Sequence, residues 1–224
     1  MTSESTLRLT GRTSAPALRI AGGAAFAAAA GYLLIPVFRA LVGAVNGAEL
    51  STFPKPSEIA ANTWVGVSGA VIFVGMGLAT LILTQATVSG QPDGIGTRLG
   101  AAAGIAAAIG FALAGASAAA MYSWIAGNLT QTGADAGAQV AALWAVNITA
   151  GAPLTLAAIG TCGWTWWLLR SQLVGTALGV TVALLATAIV IGILVFAFLP
   201  VQFLYVPLFV VLGIGLMRAA RRTR

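Results

Sequence analysis

Between Arg170 and Arg218 the chain carries no Asp, Glu, Lys or Arg. Drawn as one helix at about 1.5 Å per residue, that stretch would run on the order of 70 Å. The hydrocarbon core of a bilayer is only about 30 Å thick. The chain must therefore turn back on itself, and the segment "FAFLPVQF" is where it does so. Pro200 in that segment blocks helix continuation, because proline lacks the amide proton and clashes with the preceding turn.

Runs of the same kind recur along the whole sequence. Of its 224 residues 59% are hydrophobic and 7% charged, against about a quarter charged in an average soluble domain. The sequence therefore predicts an all-α fold: a polytopic transmembrane helix bundle of six helices with both termini cytoplasmic. The helices are expected at about Ala17–Val45, Trp64–Thr87, Leu99–Gly127, Gln139–Leu169, Leu173–Phe198 and Val201–Met217. A polar tail, residues 1–16, precedes the transmembrane domain, 17–218, and a basic tail, 219–224, follows it. The first apolar run is longer than a signal-peptide core and continues past Pro36 to Arg39, so it reads as an uncleaved anchor.

Charge placement gives the orientation. With a cytoplasmic amino terminus, Arg8, Arg12, Arg19, Arg98, Arg170, Arg218, Arg221, Arg222 and Arg224 lie inside. Only Arg39 and Lys55 then fall outside, and the opposite orientation would invert this bias. The net charge of +6 is thus a topological signal, and nucleic acid is excluded as a partner. Trp64, Trp124 and Trp144 fall at predicted outer ends, and Trp164, Trp166 and Trp167 at the inner end of the fourth helix, as in an aromatic belt.

Burial of apolar surface cannot drive helix association inside a bilayer, so small residues and a few hydrogen bonds must. Gly100 and Gly104 on the third helix, and Gly23, Ala27 and Gly31 on the first, have the required spacing. Their expected use is packing within the bundle, with a protein partner or homo-oligomer contact as the alternative. The leucine- and valine-rich fifth and sixth helices are expected to face lipid.

The fourth helix carries the candidate site. Asn147, Gly151, Thr155, Ala158 and Cys162 recur every three or four residues and share one face. Pro153 frees the carbonyl of Thr149. Asn147, Thr149, Gly151, Pro153 and Thr155 thus form either a small-ligand face or an interhelical polar contact. Thr80, Thr84 and Thr87 share a face of the second helix and are expected to be solvated or bonded to their own helix. Arg39 is a candidate anion or headgroup contact near the outer interface, with its stem snorkelling along apolar surface. The outer loop "NGAELSTFPKPSEIAANT" holds a stiff Pro-Lys-Pro core. Of two glycosylation patterns, the one at Asn147 lies within a helix and the one at Asn128 in an outer loop.

Several function classes lack their residues. There is no histidine, hence neither the commonest general base nor the commonest metal ligand. The single cysteine, Cys162, cannot form an intramolecular disulfide or a cysteine metal cage. No acid lies deep in a predicted helix, no phosphate-binding or hydrolase motif occurs, and the two halves show no repeat of the transporter kind. Neither a metal nor a cofactor is expected.

The stretches "ALRIAGGAAFAAAAGYLL", "WWLLRSQLVGTALGVTVALL" and "GIGLMRAARR" resemble a family of bacterial six-helix inner-membrane proteins known as a domain of unknown function. The alanine-rich, lysine-poor usage resembles high-GC actinobacteria. Ser171 and Gln172 depart from the pattern, where a proline and further basic residues are expected. The resemblance implies an inner-membrane, multi-pass protein and no particular activity. The functional expectation is a non-enzymatic structural, accessory or regulatory membrane component. A carrier or binding protein for a small neutral or lipophilic molecule is the alternative.

Overall fold

The computed structural model describes residues 13–46, 63–128, 136–196 and 199–223. Six α-helices account for nearly all of them: α1 (Ala15–Asn46), α2 (Thr63–Val88), α3 (Ile95–Asn128), α4 (Ala136–Ser171), α5 (Thr176–Phe196) and α6 (Tyr205–Arg222). A 3-10 segment, Leu199–Leu204, joins α5 to α6. The expected hairpin at Pro200 is therefore present. The sixth helix starts four residues later than expected, because the chain leaves Pro200 in the tighter 3-10 form. Pro207 then sits in the first turn of α6, where a missing amide proton costs no helical hydrogen bond.

Each helix packs against its neighbours in sequence, and α6 packs against α1, which closes a ring. α3 is gripped on both sides by backbone-level contacts. A methyl added at Gly77 of α2 would lie 2.7 Å from the Ala108 carbonyl oxygen, and one at Gly160 of α4 would lie 2.6 Å from that of Ala103. Gly110 of α3 faces Pro153 and Ala157 of α4, while Gly115 faces Ala70 of α2. Gly104 meets Thr84 of α2 and Gly100 meets Trp167 of α4. The expected small-residue step is real, but its two glycines serve different neighbours. On α1, Gly31 meets Met76, whereas Gly23 faces open space.

The centre of the ring is filled by rings. Tyr32 of α1 stacks on Tyr205 of α6 at 5.1 Å between centroids. Phe111 of α3 meets Tyr205 edge-on at 5.2 Å, and Phe209 stacks on Tyr205 at 5.9 Å. Phe73 of α2 closes against Tyr32. Aromatic pairs of these geometries contribute about 0.5–1.5 kcal/mol each. α6 thus supplies much of the core: Tyr205, Leu208, Phe209, Leu212 and Leu216 are all fully buried. The expectation that α6 faces lipid is corrected. Its apolar residues recur every three or four positions and so form one inward stripe, which richness in Leu, Val and Phe alone does not reveal.

Outward, the bundle is apolar. Leu33, Val71, Leu78, Leu184 and Val195 are all more than half exposed, a surface suited to hydrocarbon rather than water. Four segments are long and apolar enough to cross a membrane: Ala15–Val37, Val67–Val88, Ile95–Ala120 and Thr176–Val195. α6 misses that measure through Arg218, Arg221 and Arg222, and the described part of α4 is diluted by Gly, Thr and Trp.

Candidate functional site

Of the predicted α4 face, Asn147 and Thr149 lie within the helix, but their side chains are outside the described residues. The same holds for Arg39 in α1. The Pro-Lys-Pro segment and Thr130 of the outer sequon also lie outside them. Thr155 is half-buried and donates to the carbonyl of Gly151 at 3.0 Å, so its hydroxyl is satisfied within its own helix. A side chain at Gly151 would meet open space. Just below, the Pro153 carbonyl oxygen lies against Gly110 of α3, 2.6 Å from where a methyl there would sit. The α4 backbone at Pro153 is therefore packed on α3.

The lower part of that stripe meets α5. The Thr187 hydroxyl of α5 donates to its own Ala183 carbonyl at 2.8 Å. Its single proton being used there, its oxygen is left to accept. It accepts from Trp166 Nε1 at 3.2 Å and faces Cys162 Sγ at 3.6 Å. Trp166 and Cys162 thereby fix α4 against α5, a polar contact that an isolated threonine in "LLATAIV" does not announce. Trp164, expected at the interface, is instead fully buried, and Trp167 packs on Gly100.

Thr80, Thr84 and Thr87 are all buried rather than solvated. Thr87 donates back to its own helix, within 2.9 Å of the Leu83 and Thr84 carbonyls. Thr80 and Thr84 do not, and their hydroxyls have no hydrogen-bond partner among the described residues. Among the described residues the hydroxyl of Tyr32 and the indole nitrogen of Trp164 are likewise unpartnered. Thr161, beside Tyr205, gives its proton to the Ala157 carbonyl at 2.7 Å.

The end of the bundle where α6 finishes has a different character. Arg19, Arg98, Arg170, Arg218, Arg221 and Arg222 belong to it, and Asp93 is the one acid among the described residues. Asp93 accepts from Arg98 Nε at 2.9 Å and from Nη2 at 2.8 Å. That guanidinium holds the Asp93 carboxyl below its ordinary value. Gln91 Nε2 donates to Thr13 Oγ at 3.0 Å, tying the start of α1 to the α2–α3 turn.

Between the α4–α5 turn and the end of α6 lies a half-open cavity of about 530 Å³. The turn owes its shape to two left-handed residues, Gln172 at φ 53° and Gly175 at φ 79°. Proline, fixed near −65°, is barred from position 172. A second cavity of about 240 Å³ shares Gln172, Leu173, Ala219 and Thr223 with the first and continues toward Thr13 and Gln91. No His, Cys, Asp and Glu cluster able to hold a metal occurs among the described residues.

Compared with known protein families, curated proteins and solved structures, the chain matches none.

Proposed function

We propose that this chain is a multi-pass inner-membrane protein of bacterial type that acts as a structural, accessory or regulatory component rather than as an enzyme. All six helices cross the bilayer in this reading, with both termini and the arginine-rich end in the cytoplasm. The arginines gathered at one end of the described bundle support that orientation. Kinship with the bacterial six-helix family belongs to the same reading and rests on the three stretches that resemble it.

The observation that carries the accessory role is the filled centre. Tyr32, Phe111, Tyr205 and Phe209 occupy the axis of the ring, where a carrier would need space. The α4 backbone at Pro153, the place for a carrier's site, is packed on α3 at Gly110. The open flank at Gly151 keeps the second reading, a carrier of a small neutral molecule, tied to one position.

Affinity purification of the full chain from native membranes, followed by identification of bound proteins and lipids, tests the role. A membrane protein recovered in constant proportion is the expected result. Recovery of the chain alone with a neutral small molecule, lost on Gly151→Leu, would support the carrier instead. The orientation has its own check. With Cys162 replaced by Ser, a cysteine at Asp135 should react with an impermeant reagent added outside intact cells, and one at Ser89 only after permeabilisation.

A further inference from the structure

Arg218 and Arg222 stand one helical turn apart on α6 and both line the 530 Å³ cavity. Neither has an ion-pair partner among the described residues, where the single salt bridge joins Arg98 to Asp93. Among the described residues no acidic side chain lines the cavity. Two arginines one turn apart on the same helix, with no counter-charge among the described residues, offer guanidinium donors of the kind that pair with phosphate oxygens. Gln172 and Thr176 add polar groups on the facing wall, and Val174 and Leu178 add apolar surface. The volume falls within the roughly 300–1,000 Å³ of small-ligand sites.

We propose that this cavity binds the phosphate group of an anionic lipid, held between Arg218 and Arg222 with its glycerol portion against Val174 and Leu178. The arginines supply the charge, and the cavity supplies the selectivity that an open basic surface lacks. Basic pockets between helices on the cytoplasmic side suit lipid headgroups for these reasons. A free phosphate anion shares the chemistry of these donors but has no use for the apolar wall. The inference rests on the membrane placement of the bundle and is independent of its accessory role.

The test is native mass spectrometry of the full chain in detergent with added phosphatidylglycerol, phosphatidylcholine or inorganic phosphate. Wild type should retain phosphatidylglycerol over phosphatidylcholine. R218Q/R222Q should retain it about tenfold less, while R221Q, which alters an arginine outside the lining, should match wild type. A177W, which fills the cavity and leaves both charges, should also lose the lipid, and each variant's melting profile reports whether it is folded. Equal loss in R221Q, or full retention in folded A177W, would overturn the site. Displacement of the lipid by an equal concentration of inorganic phosphate would overturn the lipid as its source. A chain that leaves the membrane without detergent would overturn the membrane reading itself.

Discussion

Two threonines in similar surroundings make opposite predictions. Thr187 accepts from Trp166 and faces Cys162 across the α4–α5 interface, whereas Thr84 is fully buried with an unpartnered hydroxyl against Gly104. Thr187→Val should lower stability by about 0.6–2 kcal/mol, the range for interhelical bonds. Thr84→Val, nearly the same shape, should be neutral or stabilising, since it removes a buried polar atom without a bond. Detergent-solubilised melting curves decide both. Asp93 gives a pH prediction. Arg98 depresses its folded-state pKa, so the stability this pair adds is present above the unfolded value and fades as pH falls through the folded one. In a carboxyl-labelled NMR titration it should titrate below the ordinary value of 3.8, and Asp93→Asn should return the turn to its acid behaviour at neutral pH. The threonine periodicity on α2 was legible in the sequence, but which hydroxyls would find partners was not. That depends on a few tenths of an ångström between helices, which spacing along one helix cannot specify.

At the level of the helices, glycine contacts separate structural positions from silent ones. A methyl at Gly110 would strike backbone atoms of α4, and backbone cannot step aside as a flexible side chain can. Gly110→Ala should therefore cost about 1–3 kcal/mol. Gly23→Ala and Gly151→Ala meet nothing and lie in helix interiors, so they should gain up to about 1 kcal/mol from helix propensity. An equal loss in all three would mean that the interfaces are not those seen here. The existence of each helix and the hairpin at Pro200 followed from apolar length and punctuation alone. The stripe of Gly23, Ala27 and Gly31 was visible too, yet only Gly31 meets a neighbouring helix that closely. Small-residue spacing marks faces able to pack, and the ring order selects among them. The polar face of α4 was legible as a face. Its use as a contact with α5 was hidden, because the partner is a lone threonine in an otherwise apolar helix.

Ring closure makes a prediction about the whole molecule. α1 and α2 are held to the other four helices by two separate interfaces, α2 with α3 and α1 with α6. The connection between them, Ser89–Gly94, is short and its salt bridge is exposed, so covalent continuity there contributes little to helix packing. A cut between Asp93 and Gly94 would leave one piece with two helices and one with four. On the proposed topology each piece begins and ends in the cytoplasm, so each can insert in its native orientation. Helices stable individually in a bilayer assemble through their contacts rather than through their loops. The two coexpressed pieces should therefore co-purify. Gly77 faces the Ala108 carbonyl oxygen and the Ala112 backbone of α3 across the severed interface, and Gly77→Leu should overpack it by about 1–3 kcal/mol. That corresponds to roughly a five- to 150-fold loss of recovered complex. Gly23→Leu, with open space before it, should leave recovery unchanged. Pieces that fail to associate, or that associate equally well with Gly77→Leu, would show that the ring is held together by its connections and not by the helix faces.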